Sequence, residues 1–541
     1  MRLSDLLADV RRRAPALLGD AASPRGARIG DATADRIGDP SGDQDPDVVA
    51  VVQDHTRVRP GALFVARVGA RFDAHVLAAG AVRRGAVAVV GERDAHDPAG
   101  DGPNASALGA LGVPYLRVPD ARRVLPFLAA AVHGHPSEAL RVLGVTGTDG
   151  KTTTSYLLHW LLSATHPTGL LSTAGIRMGD ETFALEGHFT TPEAPEVQAF
   201  LAHFRDAGAS HVVLESSSHG FALHRLDAVR YAVAAWTNLS PEHLDHHGTL
   251  EAYRDAKATL VRRAPRAVLN RDEPDFAYFA AAVGAESPDE NDAAPRDPVV
   301  TYGAHPEADV RILTVEERPG ALALHLQIDG ARHTAALPMV GGYNAWNAAA
   351  AVAVARLEGV ATEHALARLA TFPGVPGRMQ VVQAEPFSIV VDFAHTAPAL
   401  EKALAAVRPA ARNEAGGRVI VVVGAAGERD AGKRGPIGAA AVRHADLAVF
   451  TEEDSRSEPV AAILESMAEG ARATGAREGE HFVRVPDRRA AIAHAFAQAR
   501  PGDVVVLAGK GHEHTLERAD EVLDWDEAAE ARRIARAARP Y

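Results

Sequence analysis

The chain has 541 residues, of which 47% are hydrophobic and 23% are charged, and its formal net charge is -13. This length suits about three globular domains of roughly 150 residues each, and the acidic balance argues against a protein whose main partner is nucleic acid or an anionic membrane. Because the sequence contains no cysteine, disulfide bonds and thiolate metal sites are excluded.

The sequence gives no sign of export or membrane insertion. Its first residues, MRLSDLLADVRRR, lack the continuous apolar stretch of a signal peptide. It also contains no run of about 18 apolar residues, the length that spans a bilayer. We therefore expect a cytoplasmic protein without nucleic-acid or membrane partners. A monomer is the expected state, although the sequence itself does not determine the oligomeric state.

Residues 1–139 are predicted to form a small N-terminal α/β domain. Alanine-rich, helix-like segments alternate there with short apolar runs that suit buried strands, at 48–52, 62–65 and 86–90.

Segments rich in Gly, Pro and Asp predict loops at 20–46, 91–104 and 285–298.

Residues 140–370 are predicted to form a central P-loop ATPase-like domain with a parallel sheet. Its first elements are a strand, LRVLGV, a glycine turn, TGTDG, and a helix, KTTTSYLLHWLLSA. Two further apolar runs, 211–215 and 231–239, suit buried strands.

Residues 371–541 are predicted to form a Rossmann-like, doubly wound C-terminal domain. Four apolar strand candidates alternate there with helical stretches: FSIVVDFA, RVIVVVGAAG, LAVFTEED and DVVVLAGKG. In such sheets ligands bind at the carboxyl ends of the strands, where glycines or charged residues follow most of these runs. The predicted fold class is therefore α/β, with three domains.

The glycine turn predicts a nucleotide-binding loop. The segment GVTGTDGKT at 144–152 follows a strand and opens a helix. Its glycines let backbone N–H groups converge on phosphate, the helix N-terminus adds partial positive charge, Lys151 can reach the terminal phosphates, and Thr152 can bind Mg²⁺. Val145 stands where the strict GxxxxGKT pattern has its first glycine, so the spacing is a variant one. A surface turn with a lysine at a helix start is the alternative.

The variant loop TGTDGKTTT resembles that of the Mur ligase family, in which Asn usually replaces Asp149. Other segments resemble that family in the same order along almost the whole chain: DHTRVRPGALFVARVG, FTTPE, LESSSHG, TNLSPEHLDHHGT, YRDAK, GGYNAWNAAAA, PGRMQ, VVDFAHTAPALEKAL, GAAGERDAGKRGPIG, TEEDSRSEP and AGKGHE. The first of them is similar to the uridine-nucleotide-binding entry of UDP-N-acetylmuramoyl-tripeptide synthetases. The resemblance implies an ATP- and Mg²⁺-dependent ligase that extends the peptide of a peptidoglycan precursor.

The resemblance implies individual roles around ATP. Lys151, Glu215, His243 and Lys257 would be catalytic, and Thr152, Glu215, His243 and Lys257 would hold Mg²⁺, with Lys257 first converted by CO₂ to a carbamate. The residues implied in ATP binding are Gly147, Thr148, Asp149, Gly150, Lys151, Thr152, Thr153, Asn344, Asn347, Arg378 and Asp392. Among them, the guanidinium fork of Arg378 would clamp phosphates, and Asp392 would bond to ribose hydroxyls.

Taken without the family, several of these residues have plainer explanations. The histidines of SPEHLDHHG would first suggest a zinc site. Lys257 would be an ordinary exposed lysine on a helix. Asn344 and Asn347 could cap a helix that begins after two glycines.

The resemblance also implies two substrate sites. The residues implied for UDP-N-acetylmuramoyl-L-alanyl-D-glutamate are Thr56, Thr190, Thr191, Ser217 and Arg225. Leu223 departs from the family, because relatives of the best-known type carry Gln there. The residues implied for the incoming diamino acid are Arg429, Glu453, Asp454, Arg456, Gly509 and Glu513, with its carboxylate on Arg429.

The identity of the diamino acid depends on one motif. Family members that use meso-diaminopimelate carry Asp-Asn-Pro-Arg where this chain has Glu453-Asp454-Ser455-Arg456. Arg456 suits a distal carboxylate, which narrowly favours meso-diaminopimelate. The additional carboxylate of Asp454 would instead suit a distal ammonium, so L-lysine and L-ornithine stay open.

The implied reaction transfers a phosphoryl group from ATP to a substrate carboxylate, and an amine then attacks the acyl phosphate. His395 in DFAHT is a candidate acceptor for the amine proton, and a buried structural histidine is the equal alternative. Competing hypotheses are a sibling ligase such as folylpolyglutamate synthase, a non-catalytic Mur-like binding subunit, and a P-loop kinase or transport ATPase.

Overall fold

A computed structural model describes residues 1–18, 45–69, 72–98, 106–179, 181–183, 190–286, 298–318, 320–411 and 416–537. Most of the predicted loop at 20–46 and parts of those at 91–104 and 285–298 lie outside the described residues, as does Phe189 of the FTTPE segment. Among the helices of this described part, none is long and apolar enough to cross a membrane.

The helices, in chain order, are α1 (Leu3–Arg13), α2 (Ala78–Arg83), α3 (Ala121–Val132), α4 (Lys151–Leu162), α5 (Ala194–Asp206), α6 (Ser218–Ala222), α7 (Leu244–His247), α8 (Leu250–Arg263), α9 (Phe276–Ala282), α10 (Asn344–Leu357), α11 (Thr362–Leu369), α12 (Ala397–Ala411), α13 (Arg434–His444), α14 (Val460–Arg472), α15 (Arg488–Gln498) and α16 (Glu527–Ala537).

The strands are β1 (Ala50–Val52), β2 (Ala62–Val65), β3 (Ala86–Gly91), β4 (Tyr115–Arg117), β5 (Arg141–Thr146), β6 (Thr168–Ser172), β7 (Gly175–Met178), β8 (Glu181–Phe183), β9 (His211–Glu215), β10 (Val233–Trp236), β11 (Ala267–Asn270), β12 (Val299–Gly303), β13 (Val310–Arg318), β14 (Ala321–Ile328), β15 (Ala331–Leu337), β16 (Gln380–Gln383), β17 (Ser388–Asp392), β18 (Val419–Val423), β19 (Leu447–Phe450), β20 (Phe482–Arg484), β21 (Val504–Ala508), β22 (Thr515–Glu517) and β23 (Val522–Asp524).

The chain folds into two compact units. The first comprises Met1–Thr148, His166–Ala267 and Tyr278–Pro298. It holds a parallel sheet in the order β1-β2-β3-β4. It also holds the strand order β10-β5-β9-β6-β7-β8, parallel from β10 to β6 and antiparallel beyond. Strands β5 and β9 are almost wholly buried, which explains their unbroken apolar sequences.

The second unit comprises Asp149–Thr165, Val268–Ala277 and Val299–Tyr541. Its largest sheet runs β16-β17-β21-β18-β19-β20, parallel except for the edge strand β16. Along β18, Val421 packs with α12, α13 and α14 on one face, whereas Ile420 and Val422 pack with α15 and α16 on the other. Helices therefore cover both faces, as the doubly wound prediction requires.

The α/β fold class is confirmed, and the four strand candidates of the C-terminal part correspond to β17, β18, β19 and β21. One region was not anticipated. Strands β13, β14 and β15 form an antiparallel meander that continues from β12. Along β13 buried residues largely alternate with more exposed ones, as expected for a sheet with one wet face. The domain boundaries at 139 and 370 stay a prediction.

Candidate active site

The nucleotide loop has the predicted strand–turn–helix form. Strand β5 ends at Thr146, and α4 begins at Lys151 with Gly150 as its N-cap. Gly147 and Gly150 have φ angles of 152° and 84°, which residues other than glycine rarely adopt. A Cβ on Gly147 would lie 1.8 Å from Thr237 Oγ1. The variant spacing therefore keeps a glycine where the turn requires one.

Thr148 anchors the loop in the first unit. Its backbone N–H donates to Asn238 O at 3.0 Å, and its hydroxyl donates to Ser240 O at 3.2 Å. The Tyr253 hydroxyl donates to Thr148 Oγ1 at 3.3 Å. The loop thus rests on the segment after β10 and on α8.

Lys257, also on α8, is buried beside the loop and is only 1% exposed. Its Nζ donates to the Gly147 carbonyl at 2.5 Å and lies 4.2 Å from the centroid of the Tyr253 ring. Tyr253 and Lys257 are four residues apart and share one helix face. An exposed helical lysine is therefore ruled out, and the amino group that would form the carbamate touches the backbone of the nucleotide loop.

Glu215 closes β9 and lies opposite Val145 of β5 in the parallel register. Its carboxylate accepts hydrogen bonds from the Ser172 hydroxyl at 2.5 Å and from the Thr173 N–H at 3.0 Å. The side chain is buried, so these two donors fix the orientation of a carboxylate at the carboxyl end of the strand. A hard cation prefers such oxygen donors.

Histidines gather near the predicted metal residue His243, which precedes α7 with a left-handed φ of 55°. His219 of α6 lies with its ring centroid 4.7 Å from that of His243 and 4.4 Å from that of His246. Burial, together with the positive charges that neighbouring histidines would carry, lowers the pKa of His219 to about 4. His219 is therefore neutral at pH 7. It was not anticipated, because the LESSSHG segment lies far from the other histidines in the sequence.

Three of the residues implied for the muramoyl peptide form one network. The Thr191 and Ser217 hydroxyls are 2.8 Å apart, and Ser217 caps α6 by accepting from the Gly220 N–H at 3.0 Å. Arg225 donates to the Thr191 carbonyl at 2.8 Å. Thr190 is half-buried beside them in the chain.

Thr56 lies in a separate turn, where its N–H and hydroxyl both donate to Asp54 at 2.8 and 2.7 Å. Its neighbour Arg57 donates to Glu196 at 2.5 Å, and Arg225 donates to Glu193 at 2.6 Å. Glu193 and Glu196 form the capping box of α5. The N-terminus of this helix therefore connects both groups of predicted residues.

In the second unit, Asn344 and Asn347 lie in the first turn of α10. The Asn344 amide donates to the Val340 carbonyl at 2.8 Å, and Asn347 donates to Asn344 Oδ1 at 2.9 Å. The N-cap of α10 is Tyr343, without a side-chain capping bond, so the capping explanation is wrong for both asparagines. A Cβ on Gly150 would lie 2.3 Å from Asn347 Oδ1, which places Asn347 against the loop.

Asp392 ends β17 and is buried. It accepts from the Met379 N–H and the Ala394 N–H, both at 2.9 Å, and burial raises its pKa. Arg378 stacks over the Phe393 ring with 4.9 Å between guanidinium carbon and ring centroid. Its buried Nε has no hydrogen-bond partner in the described part of the chain.

The residues implied for the diamino acid follow β19 and β21. Lys510 is fully buried and forms ion pairs with Asp454 and Glu513, each at 2.7 Å. Arg456 donates through Nε to Glu517 at 2.8 Å, whereas its distance to Asp454 is 3.9 Å. Asp454 therefore neutralises Lys510 first, and Glu517 is the main partner of Arg456.

Glu453 differs from the other acids of this group. It is buried, burial raises its pKa, and its Oε2 has no hydrogen-bond partner among the described residues. A Cβ on Gly509 would come within 2.8 Å of this oxygen. Arg429, expected to grip the substrate carboxylate, is exposed.

Comparisons with known proteins assign the family of the chain. The family models for the Mur ligase middle domain and for the Mur ligase glutamate ligase domain match residues 145–355 and 377–511. A UDP-N-acetylmuramyl-tripeptide synthetase of Deinococcus radiodurans is 46% identical over 91% of this chain and 95% of its own length. The chain belongs to the Mur ligase family. Mur ligases are ATP-dependent ligases, which assigns the reaction class.

Two further relatives of this Mur ligase carry a more specific name. The UDP-N-acetylmuramoyl-L-alanyl-D-glutamate–2,6-diaminopimelate ligase of Geobacillus thermodenitrificans is 38% identical over 90% of this chain and 94% of its own length. A solved structure with the same name has a TM-score of 0.63 and 28% identity, and the match covers 91% of this chain and 95% of that one.

Lys510 and Arg488 are charged residues of the ligase that sequence reasoning missed. Both are fully buried, and Arg488 donates to Glu527 at 2.7 Å, to the Glu452 carbonyl at 3.1 Å and to the Ala508 carbonyl at 2.9 Å. A signal was present, since Lys510 belongs to the AGKGHE segment. Arg488 thus holds the backbone after β19 and at the end of β21, where the residues implied for binding the diamino acid begin.

Replacing Glu527 with Gln should lower the free energy of unfolding by about 3–5 kcal/mol, because it leaves the buried charge of Arg488 uncompensated. The matched control is Glu530→Gln on the same helix. Glu530 pairs with Arg489 and Arg533 near the surface, and its loss should cost about 0–1 kcal/mol. Urea unfolding of the three proteins measures the difference. Equal midpoints for the two variants would contradict the assigned importance of the Arg488 pair.

Proposed function

We propose that this Mur ligase adds a diamino acid to UDP-N-acetylmuramoyl-L-alanyl-D-glutamate in peptidoglycan precursor synthesis. The Deinococcus relative is named for the tripeptide-forming step and the Geobacillus relative for the same dipeptide substrate, each matching about nine-tenths of this chain. The observation that carries the proposal is the burial of the Lys257 amino group against the nucleotide loop. A buried amino group is costly, and a non-catalytic Mur-like binding subunit would have no use for one at this position.

ATP turnover measured with and without the UDP-muramoyl dipeptide tests this assignment. Phosphate release should require the dipeptide and rise further when a diamino acid is added. Turnover that ignores the dipeptide would point instead to a kinase or transport ATPase. Release driven by a folate substrate would point to a sibling ligase.

We assign Mg²⁺ to Thr152, Glu215, His243 and Lys257. The oxygen donors of this set fit a hard cation, because the Glu215 carboxylate is held in place by two hydrogen bonds and a carbamate on Lys257 would add further oxygen atoms. His243 offers nitrogen and is included only because the family resemblance implies it. Lys257 fits only in that form, since an ammonium cannot bind a cation. When bound, Mg²⁺ neutralises phosphate charge.

The chain's own residues then orient the phosphates and stabilise charge. Lys151 opens α4 and is assigned to the terminal phosphates, and Arg378 to the charge that develops during transfer. The γ-phosphoryl group passes to a carboxylate of the dipeptide substrate, giving an acyl phosphate and ADP. The amine attacks the acyl carbon, loses a proton, and phosphate leaves as the amide forms.

His395 is assigned as the acceptor of the amine proton. Burial lowers the pKa of His395, which keeps the ring neutral at neutral pH. Its Nδ1 lies 2.8 Å from the Phe393 carbonyl, which can only accept, so Nδ1 carries the proton. The Nε2 atom of this tautomer is therefore the one with a lone pair to offer.

The charges of the amino-acid group support a substrate with a distal ammonium and no distal carboxylate. Arg456, the residue that would recognise the carboxylate of meso-diaminopimelate, already donates to Glu517. Glu453 offers a buried carboxylate oxygen without a partner among the described residues. L-Lysine and L-ornithine fit this balance better. The second candidate is meso-diaminopimelate, supported by the presence of Arg456 and by the name of the Geobacillus relative.

A competition assay with meso-diaminopimelate, L-lysine and L-ornithine tests the amino acid. The wild-type enzyme should prefer a basic amino acid, and Arg456→Ala should change its use little. Asp454→Asn introduces the asparagine of the Asp-Asn-Pro-Arg motif and removes a carboxylate that lies 3.9 Å from Arg456. The preference should therefore shift toward meso-diaminopimelate by roughly tenfold, equal to about 1.4 kcal/mol. The control is Glu521→Gln, which removes a half-exposed acid paired with Arg518.

A selective loss of meso-diaminopimelate use in Arg456→Ala, from a wild type that prefers it, would instead establish the second candidate. Neither outcome bears on the ligase reaction itself, because the competition assay measures which amino acid is used and not whether ATP is turned over.

A further inference from the structure

Three histidine side chains converge in the first unit. His219 lies on α6, and His246 and His247 end α7. Each contributes one ring nitrogen, and these three atoms all lie within 4.8 Å of one another. The His219 and His246 rings stack, and His247 Nε2 lies 3.2 Å from the Ser218 hydroxyl. Two helices brought together by the fold thus present three imidazoles to one point.

The chemistry of these donors differs from that assigned to Mg²⁺. All three are imidazoles, which suit Zn²⁺, Ni²⁺ and Co²⁺, whereas Mg²⁺ prefers oxygen donors, and most of the ligands assigned to it offer oxygen. His243, which we assign to Mg²⁺, is not one of the three. When His247 binds the ion through Nδ1, the hydrogen bond between its Nε2 and the Ser218 hydroxyl holds the ring in one orientation, as partners outside the first shell of a metal site commonly do.

We propose that His219, His246 and His247 form a binding site for a divalent transition-metal ion such as Zn²⁺, Ni²⁺ or Co²⁺, separate from the Mg²⁺ ligands.

The distances are close to those that such an ion needs. A tetrahedral ion with bonds of about 2.0–2.1 Å places its ligand nitrogens about 3.3 Å apart, so the rings must approach by at most about 1.5 Å. His246 is exposed and can make this rotation without disturbing the core. The same exposure leaves a fourth position for water.

A bound ion would tie α6 to α7, two short helices of five and four residues. An ion that binds only the folded protein stabilises it, so the Tm should rise as the ion concentration rises. The site therefore couples transition-metal availability to the stability of the segment that carries His243. It does not depend on the substrates of the ligase.

Co²⁺ titration of the full-length protein in excess Mg²⁺ tests the site, with the visible absorption of the ion reporting tetrahedral nitrogen coordination. Wild-type protein should bind one Co²⁺ with this spectrum and show a higher Tm. His246→Gln should weaken binding by roughly 10- to 100-fold or more, since even an outer partner costs that much. The control is His364→Gln, an exposed histidine of α11, which should bind like the wild type.

His219→Gln and His247→Gln extend the test, and circular dichroism without metal verifies their folding. Loss of the tetrahedral spectrum in all three cluster variants supports the proposal. Equal Co²⁺ binding by wild type and His246→Gln, or a wild-type spectrum that stays octahedral, would overturn it.

Discussion

Lys257→Ala should lower the ligation rate by roughly 10²–10³-fold or more, the loss typical when one group that stabilises transition-state charge is removed. Lys257 is buried, and its Nζ contacts the carbonyl of Gly147 in the nucleotide loop. If the amino group carries a carbamate, its loss removes oxygen donors assigned to Mg²⁺. Initial rates of dipeptide-dependent phosphate release measure the effect.

Lys257→Arg separates the carbamate from a simple positive charge. Arginine keeps the charge and can still donate to the Gly147 carbonyl, but it does not form the carbamate, so its activity should fall as far as that of the alanine variant. Acetate should partly restore Lys257→Ala, because a small carboxylate can supply the missing oxygen atoms. If the carbamate is required, the arginine variant should lose roughly 10²–10³-fold in rate. An arginine variant within about tenfold of the wild-type rate would show instead that Lys257 acts as a cation.

Lys151→Ala is expected to have an effect of similar size, roughly 10²–10³-fold on the rate of phosphoryl transfer. Lys151 is the first residue of α4 and directly follows Gly150, whose φ of 84° lets the chain turn into the helix. The helix N-terminus and the ammonium group therefore act on the same phosphates. Single-turnover formation of ADP isolates this step from product release.

The matched control is Lys402→Ala, which removes another ammonium beside the loop. Lys402 forms an exposed ion pair with Asp149 at 3.2 Å. Exposed pairs of this kind contribute about 0–1 kcal/mol, so the rate should fall by no more than roughly fivefold. Equal losses in the two variants would show that general positive charge matters and that Lys151 has no special position.

The predictability of the site differs from residue to residue. The nucleotide loop was predicted because strand, glycines, lysine and helix are consecutive in sequence, and each has a local physical signature. The Glu453–Arg456 motif indicates Arg456, but its partner Glu517 lies 61 residues away. Lys510 and Asp454 are 56 residues apart. No periodicity or turn signal predicts such pairs, because the sheet brings together strands that are distant along the chain.

The sequence by itself determined the α/β class, the nucleotide loop and the strands at whose ends the polar residues lie, because apolar runs, glycine turns and helix starts depend on neighbouring residues. Only the tertiary structure decided that Lys257 is buried, that Arg456 is already paired and that His219 joins two histidines of another helix. Burial and ion pairing depend on which residues meet in space. Local sequence does not contain that information when the partners lie tens of residues apart.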